Sequence, residues 1–169
     1  DSCDVLIVGG GPGGSSCAWG LRESGLDVLI LDKATFPRDK VCAGWITPAV
    51  AELLELDLKD YSQGHVLQPI SRFRTGLIGG NTLHTEYPET VSYGIRRCEF
   101  DHYLLQRCGA RTRLGESFQS LKRTADGWLV NGTLSAKMVV GAGGHFCPVA
   151  REINDKHAGD HSVVLAQET

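Results

Sequence analysis

The chain has 169 residues, with 17 Lys and Arg against 20 Asp and Glu, which gives a formal net charge of −3 at pH 7. This balance argues against a nucleic-acid binder driven by bulk positive charge, because such domains are usually strongly basic. Hydrophobic residues make up 41% and charged residues 22% of the chain, as in ordinary globular domains, and no stretch has the roughly 18 uninterrupted apolar residues of a membrane span.

The first part of the chain predicts a β-strand, an α-helix and a second β-strand. The apolar run Asp4–Val8 is typical of a buried parallel strand. A glycine cluster comes next, and Ser15–Ser24 predicts a helix that Gly25 ends. Val28–Leu31 predicts the second buried strand, which Asp32 closes. These elements predict a βαβ unit, the usual framework of a nucleotide-binding site.

The middle of the chain changes character. A loop precedes a helix predicted over Pro48–Leu56, where the proline suits the first turn. Residues 65–95 contain short strand-like pieces separated by glycines, which predicts an antiparallel insertion and the start of a second sheet. A further helix is predicted over Phe100–Cys108, with Asp101 near its start to complement the helix dipole.

The last part predicts a β-meander over Phe118–Lys137. Asp126-Gly127 and Asn131-Gly132 are hairpin turn signals within it. Met138–Val140 predicts another buried strand, which leads into the glycine-rich segment 141–144. The six cysteines contain no C-x-x-C pair, so we expect free thiols and a reduced, cytoplasmic location.

The glycine cluster contains the pattern G-x-G-x-x-G at Gly9, Gly11 and Gly14. The first glycine allows a tight turn, the second lets the backbone approach a pyrophosphate, and the third lets helix and strand pack closely. Asp32 lies 18 residues after Gly14, close to the spacing of an acid that binds a ribose hydroxyl. The predicted cofactor-binding residues in this region are Gly9, Gly11, Pro12, Gly13, Gly14, Asp32 and Lys33.

The type of dinucleotide depends on the sequence after the βαβ unit. The fingerprint serves both NAD and FAD, and an acid at Asp32 disfavours a 2′-phosphate. The insertion after this unit is typical of the glutathione-reductase type of FAD fold. Lys33, Arg38 and Lys40 form a short basic loop, for which a phosphate-facing position and a solvated surface remain equal alternatives.

Four stretches resemble the flavoproteins grouped with geranylgeranyl reductases, p-hydroxybenzoate-hydroxylase-like monooxygenases and flavin-dependent halogenases. They are the fingerprint with Asp32, Lys40-Val41-Cys42-Ala43-Gly44, Arg97-Cys98-Glu99-Phe100-Asp101 and Val140-Gly141-Ala142-Gly143-Gly144 with Cys147 and Arg151. The second is similar to a cysteine- and glycine-containing loop beside the flavin, the third to an R-x-x-F-D motif before a helix, and the fourth to a segment that returns to FAD. The resemblance implies further cofactor-binding residues, namely Cys42, Ala43, Gly44, Arg97, Gly141, Ala142 and Gly143.

Two of these positions depart from the family pattern. Gly143 replaces the usual Asp and Cys147 replaces the usual Ser, which counts against a standard aromatic hydroxylase. The resemblance therefore favours reduction of prenyl C=C bonds, with Cys42 as a candidate catalytic residue. The alternatives are an FAD-dependent monooxygenase or halogenase, a non-catalytic nucleotide-binding module, and an NAD-only dehydrogenase domain.

The resemblance also implies an α/β, Rossmann-like three-layer FAD-binding domain over residues 1–151, with a β-meander and the insertion at 65–95. Residues 152–169 would begin a truncated substrate domain, because family members are about twice this long, and Val163–Leu165 would be a strand without its partner. The implied partners are a small-molecule or lipid-like substrate and a donor such as NAD(P)H or a ferredoxin-type protein. A lipid substrate would place the protein at the membrane surface. His157 and His161 lack a third ligand nearby, so we expect no metal site.

Overall fold

The computed structural model describes residues 1–154. The predicted strand Val163–Leu165 and the pair His157 and His161 lie outside the described residues, as does most of the expected second domain. The strands are β1 (Ser2–Val8), β2 (Val28–Asp32), β3 (Trp45–Ile46), β4 (Leu67–Ile70), β5 (Arg72–Gly76), β6 (Thr82–Glu86), β7 (Ser92–Ile95), β8 (Arg111–Leu114), β9 (Leu121–Thr124), β10 (Gly127–Val130) and β11 (Leu134–Gly141). The helices are α1 (Pro12–Leu21), α2 (Pro48–Leu53), α3 (Leu58–Ser62), α4 (Arg97–Arg107) and α5 (Pro148–Ile153).

The chain divides into two units. The first contains Asp1–Arg38 together with the described residues from Asp101 onward, and the second contains Asp39–Phe100. The predicted domain boundary at residue 151 stays a prediction.

A six-stranded sheet with the order β8-β2-β1-β11-β10-β9 forms the centre of the first unit. Strand β1 pairs in parallel with β2 and with β11, and β2 pairs in parallel with β8. Strand β10 is antiparallel to both β9 and β11. The Rossmann-like half and the meander are therefore one sheet, which is continuous through β11.

Alternating side chains of β1 and β2 fill two apolar clusters. Leu6 and Leu29 pack in one cluster with Val130 and Leu134 of the meander. Ile7 and Ile30 pack in the other, together with residues of α1 and α4. Both faces of these parallel strands are covered, which explains why their sequences are almost continuously apolar.

The second unit contains the antiparallel sheet β3-β7-β4 and the separate hairpin β5-β6. Tyr61 of α3 is buried, and its ring stacks on His65 at 4.8 Å and meets Phe100 edge-on at 5.9 Å. The predicted antiparallel character of this region is thus present, although its strands form two sheets.

Several element boundaries differ from the sequence predictions. Helix α1 begins at Pro12 and ends at Leu21, three residues earlier at each end, because the proline occupies the first helical turn. Helix α2 ends at Leu53, shortly before Glu55 adopts a φ of 50°, a conformation that no helix continues through. Helix α4 begins at Arg97, so the R-x-x-F-D motif lies inside the helix rather than before it.

Burial also differs from prediction at one strand. Met138 lies in β11 within an apolar run but is 58% exposed. The apolar run predicted that β11 would be buried on both faces, and this prediction is wrong at Met138.

A candidate dinucleotide site and a cysteine-lined cavity

The loop between β1 and α1 leaves no room for side chains at two of its glycines. Gly9 has a φ of 115°, a left-handed conformation that favours glycine. A Cβ at Gly14 would overlap the backbone oxygen of Gly9 and would lie 3.1 Å from Cγ2 of Ile7. Gly14 therefore permits the close contact of helix and strand that the fingerprint predicts.

Gly9 also joins the first glycine motif to the returning segment after β11. A Cβ at Gly9 would collide with the carbonyl of Ala142 and lie 2.9 Å from the nitrogen of Gly143. The N–H of Ala142 donates to the carbonyl of Val8 at 2.8 Å. The structure therefore brings together Gly9, Ala142 and Gly143, which belong to two motifs that are distant in the sequence.

The N-terminus of α1 has the features of an anion-binding site. Gly11 is its N-cap and forms no side-chain capping hydrogen bond, while Pro12 occupies the first turn. A Cβ at Gly13 would meet no atom within 4 Å. A pyrophosphate fits this position, because backbone N–H groups in the first turn of a helix attract anions and the side chain nearest the N-cap Gly11 is that of Arg38.

Asp32 ties the end of β2 to the glycine loop. Its Oδ2 accepts a hydrogen bond from the N–H of Gly10 at 2.6 Å, and its Oδ1 accepts one from Ala34 at 2.8 Å. Each carboxylate oxygen can accept a further bond, so a ribose hydroxyl can still bind this half-buried residue. Lys33 is exposed beside it.

The departure at Gly143 has a local steric reason. A Cβ at this position would lie 3.0 Å from Cδ of Pro148 and 3.1 Å from Cα of Cys147. Cys147 is the buried N-cap of α5, and a Cβ at Gly141 would come within 2.9 Å of its sulfur. An aspartate at position 143 would require Cys147 and Pro148 to shift.

Four further predicted residues line one cavity of about 590 Å³ within the second unit, namely Cys42, Ala43, Gly44 and Arg97. Lys40 and Cys98 line it as well. Cys98 was not among the residues predicted from the sequence, although its position next to Arg97 in the R-x-x-F-D motif was an available signal. The cavity therefore combines two thiols with basic side chains.

The loop that carries Cys42 is held by a constrained glycine. Gly44 has a φ of 69°, and a Cβ there would lie 2.6 Å from the carbonyl oxygen of Ile95. The N–H of Ile95 donates to the carbonyl of Gly44 at 2.7 Å, and the N–H of Gly44 donates to Sγ of Cys42 at 3.4 Å. Gly44 thereby fixes the position of the half-buried Cys42 thiol.

Two other features bear on the class of protein. Among residues 1–154, no three His, Cys, Asp or Glu side chains are grouped as a metal site would require. None of the helices in this described part is sufficiently long and apolar to cross a membrane.

The fold and the glycine loop define a Rossmann-like dinucleotide-binding protein. A family model described as an NAD(P)-binding Rossmann-like domain matches residues 7–38, which are the βαβ unit and the basic loop after it.

The chain is 35% identical over 165 residues to a menaquinone reductase of Mycobacterium tuberculosis (strain CDC 1551 / Oshkosh), covering 90% of this chain and 40% of that protein. It is 29% identical to an FAD-dependent monooxygenase of Penicillium paxilli, covering 88% of this chain and 34% of the relative. A geranylgeranyl bacteriochlorophyll reductase-like protein from Thermoplasma acidophilum has the same fold, with a TM-score of 0.74, 22% identity and coverage of 98% of this chain and 44% of that one. The chain thus spans less than half the length of each.

These similarities confirm the α/β, Rossmann-like FAD-domain fold and the resemblance to the geranylgeranyl reductase and monooxygenase group. The assignment of individual residues to cofactor binding stays a prediction, for which the structure gives the positions and contacts of each residue.

Proposed function

We propose that this chain is the FAD-binding part of a flavin-dependent oxidoreductase. The observation that carries the proposal is the glycine loop, where the Gly9 backbone packs against Ala142 and the first turn of α1 carries no side-chain cap. The similarity to an FAD-dependent monooxygenase over 88% of the chain favours FAD over NAD as the dinucleotide.

Each part of the glycine loop would bind a different part of the cofactor. The N–H groups in the first turn of α1 bind the pyrophosphate, with Gly11 and Gly13 leaving space for it. Asp32 accepts a hydrogen bond from the ribose while its two backbone hydrogen bonds hold it in place. Ala142 and Gly143 lie against Gly9, and together with Gly141 they are further proposed contacts. The proposed contacts in the second unit are Cys42, Ala43, Gly44 and Arg97.

The reaction we propose is reduction of a C=C bond in an isoprenoid lipid. Bound FAD supplies a two-electron carrier that accepts electrons from NAD(P)H or a ferredoxin-type donor. Two of the similar proteins have names that refer to menaquinone and to geranylgeranyl bacteriochlorophyll, and both molecules carry isoprenoid chains. Cys42 is the candidate residue to contact the substrate, and the protein would act at a membrane surface facing a reducing compartment.

The second candidate is a monooxygenase, which the similarity to the Penicillium paxilli enzyme supports. The structure of the returning segment favours reduction instead. The monooxygenase family pattern has an aspartate where this chain has Gly143, and Cys147 and Pro148 leave little space for that side chain.

Visible absorbance of the full-length protein after incubation with FAD and desalting tests the cofactor. We expect a retained flavin spectrum. Gly11→Ala should lower FAD retention, because its methyl group would lie 3.3 Å from Nη2 of Arg38, at the N-cap where we propose that the pyrophosphate binds. The matched control is Gly20→Ala, where the methyl group meets no atom within 4 Å. Absence of flavin in the wild-type protein, with NADH bound instead, would contradict the proposal.

Substrate turnover tests the reaction. The reduced protein is mixed under anaerobic conditions with a prenylated quinone, and the saturated product is detected by mass spectrometry. We expect the product to remain two mass units heavier, with no added oxygen atom, after its ring has been reoxidised in air, because reduction of the ring to the quinol alone would be reversed by that step. Oxygen consumption coupled tightly to hydroxylation of the substrate would instead establish the monooxygenase.

A further inference from the structure

A buried ion pair joins helix α4 to the end of the basic loop. Nη1 of Arg38 lies 3.1 Å from Oδ2 of Asp101, and the Asp101 side chain is 0% exposed while that of Arg38 is 20% exposed. A charged carboxylate is costly to bury without a counter-charge. Arg38 therefore supplies a counter-charge to Asp101 through a close ion-pair contact, although Nη1 and Oδ2 are not aligned as a hydrogen bond.

This ion pair lies directly beside the N-cap of α1. Nη2 of Arg38 lies 3.3 Å from the point that a Cβ of Gly11 would occupy, and Oδ2 of Asp101 lies 4.0 Å from the same point. The guanidinium carbon is 4.7 Å from the centre of the Phe36 ring, and Phe36 Cζ lies 3.3 Å from the Cβ position of Gly10. One end of the guanidinium thus faces a buried acid and the other end faces the glycine loop.

The electrostatics of this arrangement suit an anionic ligand. Without a nearby cation, the Asp101 carboxylate, 4.0 Å from the Cβ position of Gly11, would repel a pyrophosphate from the N-terminus of α1. Arg38 cancels that charge, and a guanidinium has five N–H donors in a fixed plane. Pairing with Asp101 through Nη1 leaves the Nη2 side available on the face next to Gly11.

We propose that Arg38 is a phosphate-binding residue of the dinucleotide site and that Asp101 is its positioning residue. Arg38 donates from Nη2 to the pyrophosphate, while Asp101 prevents the guanidinium from turning away from the loop. This inference rests on the proposed function. The sequence left two alternatives for the basic loop, a phosphate-facing position and a solvated surface, and the inference favours the first of them for Arg38.

Calorimetric titration of the full-length protein with FAD, ADP and adenosine tests the role of Arg38. Arg38→Gln should weaken ADP binding about 10- to 100-fold, as expected for loss of a charge-assisted hydrogen bond. Adenosine has no phosphate, so its affinity should change less than about twofold. The control is Arg123→Gln, because Arg123 lies on the edge strand β9 of the same unit and its guanidinium contacts the Trp128 ring of β10. This substitution should leave both affinities unchanged.

A double-mutant cycle tests Asp101. Arg38→Gln removes the cation that faces Asp101 and leaves the carboxylate beside Gly11, so adding Asp101→Asn should recover part of the lost ADP affinity. The wild-type protein should also show a steeper dependence of ADP affinity on salt than the double variant. Arg38→Lys keeps a cation beside Asp101 and should bind ADP with intermediate affinity, which provides a measurement if the glutamine variant does not fold.

Three results would overturn the proposal. Equal losses for ADP and adenosine in Arg38→Gln would assign the ion pair a structural role, and unchanged ADP affinity would remove Arg38 from the site. An ADP affinity that falls further in the double variant would contradict the role of Asp101. If the wild-type protein binds neither FAD nor ADP, the proposed function itself fails and this inference fails with it.

Discussion

Gly14 and Gly20 lie in the same helix, but their surroundings differ. A Cβ at Gly14 would overlap the Gly9 carbonyl oxygen, whereas one at Gly20 would meet no atom within 4 Å. We therefore expect Gly14→Ala to lower the free energy of unfolding by about 1–3 kcal/mol or more through overpacking. Gly20→Ala should be neutral or stabilising by about 0.5–1 kcal/mol, because alanine favours the helix. Urea unfolding measures both, and similar midpoints for the two variants would contradict the close packing at Gly14.

At single positions, the sequence predicts those features that depend on the conformation of neighbouring residues in the chain. The spacing of Gly9, Gly11, Gly14 and Asp32 encodes a strand, a tight turn and a helix, and the structure has that arrangement. The role of Arg38 could not be predicted in this way. Its partner Asp101 is distant in the chain, and nothing in the spacing indicates which acid a basic loop residue meets.

At the scale of elements, the long apolar strands were predicted and the short polar elements were not. Strand β8 has the sequence Arg111-Thr112-Arg113-Leu114, which contains no apolar run, and its position depends on the parallel ladder with β2. Helix α3 has only five residues and depends on Asp57, which accepts hydrogen bonds from the N–H groups of Lys59 and Asp60. Such elements are stabilised by tertiary pairing and capping more than by their own propensity.

The hairpin between β10 and β11 provides a test at this scale. Asn131 and Gly132 have φ values of 51° and 68°, the left-handed conformations that the predicted Asn-Gly turn signal favours. Thr133 completes the connection before Leu134 pairs with Val130. Asn131 Oδ1 also accepts from the N–H of Gln119 at 2.8 Å, and Nδ2 donates to the carbonyl of Ser117 at 2.9 Å. Asn131→Ala should therefore destabilise the protein by about 1–3 kcal/mol.

Asn131→Gly separates the two contributions at this turn. Glycine keeps the left-handed conformation but loses the side-chain hydrogen bonds, so it should be less destabilising than alanine. Thermal unfolding of the two variants measures the difference. Equal melting temperatures would mean that the left-handed conformation adds nothing at this position.

For the whole molecule, the reactivity of each cysteine should depend on how deeply its thiol is buried. Burial raises the pKa of the Cys3 thiol and of the Cys108 thiol above the ordinary value of 9.0. Since the thiolate is the reactive form, we expect iodoacetamide to modify these two residues much more slowly at pH 7.5 than the half-buried Cys17. Peptide mass spectrometry measures the order, and labelling of Cys3 before Cys17 would contradict it.

The same two raised pKa values set a direction for stability against pH. The folded state retains the thiol protons to higher pH than the unfolded state, so the stabilisation is fully present below pH 9.0. It is lost as the pH rises through the folded pKa values. Denaturant unfolding between pH 8 and 10 should therefore show a falling free energy of unfolding, and serine at both positions should reduce the slope.

The fold class was predictable because the fingerprint, the apolar strands and the meander each carry a local signal. The continuity of parallel and antiparallel strands in one sheet was not, since strand β11 pairs with β1 and with β10 at the same time. The sequence indicated an insertion at 65–95, whereas residues 39–100 pack together as a unit. The bounds of this unit depend on contacts between residues that are distant in the chain, and no local sequence pattern predicts such contacts.

The central place of β1 has a consequence for how the protein is made. The nascent chain can pair β1 with β2 soon after both leave the ribosome, but the other neighbour, β11, is synthesised more than a hundred residues later. Until then β1 has an open edge, and Gly9 lacks the Ala142 carbonyl against which it packs. Tight nucleotide capture should therefore begin only after β11 emerges, so that translation itself delays loading of the cofactor.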